Sequence, residues 1–159
     1  MLETNRLVIV GGPSAVGKTT FLNSIQQGKV PDFLDQMSVN DPGSYLCLSM
    51  RRLRKLDKSF VDKLFLHSDF IHRYAPHTRQ SGLSDLSDMI SRSSSVCALT
   101  LCAPPKILFD RITLRLERIE KKKDSPSSRR RIEQLQKKKE IYNTPEVLFD
   151  AYQRWLGFI

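Results

Sequence analysis

Cysteine is scarce in this chain: Cys47, Cys97 and Cys102 are three in 159 residues, an odd number too small for a disulfide frame. Each stands in an apolar stretch, and none has a partner at zinc-ligand spacing. They read as core thiols of a protein kept in a reducing compartment. Long apolar runs are missing as well. Nothing approaches the roughly 20 residues needed to span a bilayer, so no membrane insertion is expected. The opening MLETNRLVIVGG lacks a basic leader followed by a small-residue cleavage site. The expected location is the cytoplasm. No internal repeat is present, which argues against a solenoid or a propeller.

Charge of one sign is what the chain has in excess. The net charge is +9 with 27% charged and 40% hydrophobic residues, a balance that suits one domain over 1–159 with a sizeable core. Between Arg111 and Lys139 twelve Lys or Arg face four Asp or Glu, a local +8 that holds most of the excess. A local basic segment is therefore expected, rather than a basic surface spread for nucleic acid.

Apolar runs alternate with helical periodicity along the chain. RLVIV, 6–10, ends at two glycines and has the pattern of a strand buried on both faces. Phe21, Leu22 and Ile25 have helical spacing within 18–27, and Gly28 is a stop signal. SYLCLSM, 44–50, reads as a second strand, followed by the basic cluster Arg51, Arg52, Arg54 and Lys55. A third strand is expected over 62–70 with Asp69 at its tip, then a helix over 82–92 and a fourth strand within 95–105. Pro104 and Pro105 stop that strand and open a helix whose core stripe is Leu108, Ile112, Leu116 and Ile119. KKKDSPSS, 121–128, reads as a linker, 129–142 as a basic helix, and Thr144-Pro145-Glu146 as the start of a last one. Tyr142, Tyr152 and Trp155 read as packing residues. The expected fold is α/β: a parallel sheet flanked by helices in three layers.

The stretch after the first strand carries chemistry. Gly12-Pro13-Ser14-Ala15-Val16-Gly17-Lys18-Thr19 fits G-x-x-x-x-G-K-[ST] in full, between an expected strand and an expected helix. Glycines at the ends of this loop permit backbone angles that turn N–H groups toward phosphate oxygens. The following helix adds its positive N-terminus. Lys18 would reach the β- and γ-phosphates of a nucleotide, the Thr19 hydroxyl would help hold Mg²⁺, and Thr20 completes the cofactor-binding set.

This stretch, GGPSAVGKTTF, resembles the phosphate loop of guanylate kinases and of P-loop nucleoside and nucleotide kinases generally. APPKILFDRITLR, 103–115, is similar to the strand-end prolines and arginine-bearing helix that precede the mobile lid of those kinases. The middle of the chain has no counterpart of the guanine-reading segment. The resemblance therefore implies a P-loop NTPase or kinase-like fold, ATP and Mg²⁺, without fixing guanine as the acceptor.

Asp69 would hold Mg²⁺ or accept a proton from the acceptor hydroxyl, or else cap whatever follows its strand. Asp41 and Asp57 are rivals in loops. His67 and His72 flank Asp69 and read as structural or solvent-facing, and Arg73 is a candidate phosphate contact. Arg111, Arg115 and Arg118 recur at i, i+4 and i+7, so they line one face. They would neutralise phosphate charge during transfer, or border the buried stripe with Glu117 and Glu120 as partners. Arg129, Arg130 and Arg131 open a helix against its dipole, which suggests an anion nearby. Residues 111–131 are the expected mobile basic lid.

The leading expectation is an ATP-dependent phosphotransferase with Lys18, Asp69, Arg111 and Arg115 as catalytic residues, acting on a small molecule or nucleotide. The alternatives are a 5′-hydroxyl polynucleotide kinase and an ATP-binding regulatory or assembly module without an acceptor. No N-K-x-D guanine motif or ABC signature is present, which argues against a GTPase or an ABC ATPase.

Overall fold

RLVIV lies inside a nine-residue strand, β1 (Glu3–Gly11), in which Leu7, Val8, Ile9 and Val10 have no exposed surface. Burial on both faces is what an interior strand of a parallel sheet requires. In the computed structural model, which describes residues 2–29, 32–69, 81–121 and 126–159, β1 pairs in parallel with a strand on each side. The chain divides into two compact units: residues up to Gly12 with Gly17–Leu101, and Pro13–Val16 with Cys102–Ile159.

The first unit is built on the sheet. After β1 come α1 (Lys18–Gln26), α2 (Phe33–Gln36), β2 (Leu46–Ser49), α3 (Met50–Leu53), β3 (Phe60–His67), α4 (Ser81–Ser91) and β4 (Ser93–Thr100). All pairings are parallel and the strand order is β2-β3-β1-β4. The register sets Val10 beside His67 and Ser49 beside His67 on the other side. Val8, Val10, Leu22, Ile25, Leu34, Val39, Tyr45 and Phe65 form one buried cluster, with the Tyr45 and Phe65 rings 4.7 Å apart. The chain leaves β1 toward β2, beyond β3, and leaves β3 toward β4, beyond β1. Such a reversal opens a crevice at the carboxyl ends of the two strands.

The second unit is helical: α5 (Pro105–Glu120), α6 (Pro126–Tyr142) and α7 (Pro145–Phe158). Its buried side chains include Leu108, Ile112, Leu116, Leu135, Tyr142, Leu148 and Trp155. The expected α5 stripe is therefore in place up to Leu116, and Tyr142 and Trp155 are packing residues as expected. No helix among the described residues is long and apolar enough to cross a membrane.

Several boundaries differ from expectation. β2 is four residues long, because the Ser49 hydroxyl accepts the Arg52 N–H at 3.3 Å and caps α3. β3 ends at His67, so Asp69 lies two residues past the strand instead of at its tip. α6 begins at Pro126, which removes 126–128 from the expected linker. Arg130 and Arg131 then lie beyond the first turn, where the dipole argument fades. Cys47 and Cys97 are partly buried and pack against the core cluster, whereas Cys102 is exposed and is not a core thiol. His72, Arg73 and linker residues 122–125 lie outside the described residues.

Candidate functional site

The loop from Gly12 to Thr19 folds as strand, turn and helix. Gly12 has φ 147° and Gly17 has φ 114°, values that L side chains rarely adopt. A Cβ at Gly17 would meet nothing within 4 Å. Conformation, and not space, is what demands glycine there. Gly17 caps α1, and its carbonyl accepts the Phe21 N–H at 2.8 Å. No acidic side chain stands in the first turn of α1 to answer the helix dipole.

Lys18 is 6% exposed, and its Nζ donates to the Gly12 carbonyl at 2.7 Å. A buried ammonium needs acceptors of this kind, so Lys18 is drawn back over the loop's own entry. Thr19 and Thr20 are exposed on the first turn of α1. The β3 exit is tied to this end of the sheet by the Ser68 N–H, which donates to the Val10 carbonyl at 3.0 Å. Asp69 follows directly, partly buried. Asp41 and Asp57 lie in the connections that precede β2 and β3, at the amino-terminal edge of the sheet. Of the three aspartates only Asp69 stands at the carboxyl end, beside the loop's strand.

Burial, followed by the charge of Lys18, lowers the pKa of His67 below its ordinary 6.5; Asp69 opposes this and Arg52 reinforces it. His67, dismissed by sequence reasoning as structural, therefore shares the field of Lys18 and Asp69. Its sequence signal is its position at the end of an apolar run.

Residues 13–16 are held by the helices of the second unit. Tyr142, 1% exposed, donates its hydroxyl to the Ser14 carbonyl at 2.8 Å. Arg111 Nη1 donates to the carbonyls of Ala15 at 3.0 Å and Val16 at 3.2 Å, and Lys138 Nζ donates to Ser14 Oγ. In a trans peptide the next N–H points away from the carbonyl, so fixing the carbonyls of 14–16 also fixes the N–H directions of the residues after them. Arg111 is thus a loop-holding residue here. Arg115 and Arg118 are exposed, and no ion pair to Glu117 or Glu120 forms among the described residues. The roles of Tyr142 and Lys138 were not legible, since no local pattern links them to residue 14.

Thr19 Oγ1 and the Asp69 carboxylate offer hard oxygen donors suited to Mg²⁺, which takes most of its remaining ligands from phosphate and water. No cluster of three or more His, Cys, Asp or Glu that could hold a metal by itself occurs among the described residues. Thr19 and Asp69 would hold such an ion only together with ligands from elsewhere.

Two outcomes are expected from this geometry. Tyr142→Phe removes one hydrogen bond to a loop carbonyl and should lower the unfolding free energy by about 1 kcal/mol, the ordinary net worth of such a bond. A denaturation midpoint equal to that of wild type, in a variant of unchanged circular dichroism, would show that the loop keeps its shape without Tyr142. The His67 ring, followed by NMR, should titrate below 6.5, and Lys18→Ala should move its midpoint upward. By the same linkage His67 contributes stability above its unfolded pKa that is lost as pH falls through the folded value. A midpoint unmoved by Lys18→Ala would refute the coupling.

No family model, curated protein or solved structure matches the chain.

Proposed function

We propose that the chain is an ATP-dependent phosphotransferase of the P-loop kinase type, with a three-layer P-loop fold and a small-molecule or nucleotide acceptor. The observation that carries the reading is the loop of residues 12–19. Two glycines at positive φ bracket it, Lys18 heads the helix that follows, and no acid competes for the helix N-terminus. The strand order, with a crevice expected at the carboxyl ends of β1 and β3, supports it independently.

In the proposed reaction the acceptor hydroxyl oxygen bonds to the γ-phosphorus of ATP. The bond from that phosphorus to the β,γ-bridging oxygen breaks, and ADP leaves with the electron pair. Asp69 takes the hydroxyl proton; in the alternative Asp69 would hold Mg²⁺ with Thr19 and the proton would pass to solvent water. Bound Mg²⁺ supplies charge neutralisation at the β- and γ-phosphates. Lys18 stabilises the same oxygens as charge shifts, and Arg111 and Arg115 are the candidate arginines for the transferring group. Arg111 does so only by exchanging its loop carbonyls for phosphate. Residues 111–131 are the proposed lid.

Lys18→Ala should lower γ-phosphoryl transfer or ATP hydrolysis by about a thousandfold, the scale of losing a charge that acts mainly in the transition state. Labelled ATP measures this directly, and turnover within a few-fold of wild type in a folded variant would sink the proposal. Asp69→Asn should leave metal-free ATP affinity nearly intact while turnover collapses across a Mg²⁺ titration. Normal activity throughout that titration would remove Asp69 from the mechanism.

A further inference from the structure

A cavity of about 280 Å³ lies within the first unit, between α1 and the carboxyl ends of β2 and β3. It begins at Thr19 and runs along α1, where Asn23 and Gln26 line it at i and i+3 past Leu22. Its opposite wall is Ser49, Arg52 and His67, with Cys47 and Leu48 behind them. No lining residue among the described residues is acidic. At ~30 Å³ per water, the space holds about nine waters. It falls just under the ~300 Å³ at which drug-sized pockets begin.

The cationic group in this wall is not used by the fold. Arg54, two residues on, is engaged by Asp85, its Nε donating at 2.7 Å. Arg52 has no ion-pair partner among the described residues. Its backbone N–H is held by the Ser49 hydroxyl, which fixes where the side chain starts. His67 Nδ1 is buried without a hydrogen-bond partner among the described residues, a condition that calls for a ligand atom. Burial pushes the Cys47 thiol pKa up, so this sulfur is a protonated part of the wall and not a nucleophile.

We infer that this cavity is the acceptor site and that it takes a compact hydroxylated anion, its phosphate or carboxylate on Arg52 and its hydroxyls on Asn23, Gln26 and His67. The inference rests on the phosphotransferase reading, because Thr19 links the cavity to the end of the loop where the γ-phosphate would lie. A guanidinium fork matches either anion in pairs, whereas the amides and the imidazole match hydroxyls. The volume argues against a run of nucleotides, and the Arg52 guanidinium in the wall argues against a cationic acceptor.

The test is calorimetry on the full chain saturated with β,γ-imido-ATP and Mg²⁺. The probes are glycerol 3-phosphate, glycerate and neutral glycerol. At least one anion should bind ten times more tightly than glycerol, and the two anion arms distinguish phosphate from carboxylate. Arg52→Ala should abolish that preference while affinity for the ATP analogue stays within twofold. Arg54→Ala should keep it. Asn23→Phe, on the exposed face of α1, should fill the cavity and block the anion with nucleotide binding retained. Equal binding of all three probes, or an anion preference that survives both Arg52→Ala and Asn23→Phe, overturns the acceptor site and leaves the phosphotransferase reading standing. Displacement of the bound anion by a 5′-hydroxyl oligonucleotide overturns the compact acceptor in favour of nucleic acid. Failure of wild type to bind the ATP analogue at all removes the underlying reading, and the inference with it.

Discussion

The backbone at Gly12 and Gly17 is the constraint on which the rest of this structure depends. A strand buried over Leu7–Gly11 must leave the sheet and enter a helix within a few residues, and it does so through three positive-φ positions, Gly12, Ala15 and Gly17, of which the two glycines bracket the turn. Non-glycine residues there would carry strain of ~1–2 kcal/mol each, against a total stability of about 5–15 kcal/mol for an ordinary domain. Because Gly17 starts α1 without a side-chain cap, the helix presents Lys18, Thr19 and Thr20 at its head. Asp69 and His67 then come beside that head through pairing alone, since the register sets Val10 next to His67.

Charge is distributed at this end of the sheet according to burial. Lys18 is buried and holds a carbonyl, and its field is felt at His67. Arg54 is taken up by a carboxylate at the surface, while Arg52 has no ion-pair partner among the described residues. Exposed pairs such as Arg54 with Asp85 contribute little to stability. The pair takes Arg54 out of the cluster Arg51, Arg52, Arg54 and Lys55, of which Arg52 lines the cavity.

How much of this was legible depends on how local its cause is. The loop could be read because every requirement, from the strand to the glycines to the lysine, lies within fourteen consecutive residues. The β1 run and the Leu108, Ile112, Leu116 stripe could be read because burial leaves a period in the sequence. α2 and α3 could not, since one-turn helices are too short to show a period, although Ser49 ahead of Arg52 was a readable cap. The end of β3 was overestimated because HSD continues an apolar run without a breaker. The cavity was invisible for a different reason. Its walls come from residues 19–26, 47–52 and 67, and the β2–β3 and β1–β3 pairings bring them together.

The same distinction applies to the basic excess. A run of twelve cations between 111 and 139 invites one collective role, either as a lid or as a nucleic-acid arm. Individually they do different work. Arg111 and Lys138 are spent on the backbone and side chain of residues 14–16, and Lys139 lies over the Phe109 ring at 4.9 Å. These contacts use directional donors on specific acceptors, which a count of charges cannot register. Holding loop carbonyls also requires that the donors be fixed by a buried frame, and Tyr142 supplies the anchored end of that frame. A substitution that removes charge at an exposed position such as Arg115 therefore tests electrostatics alone. One at Arg111 changes both the field and the shape of the loop.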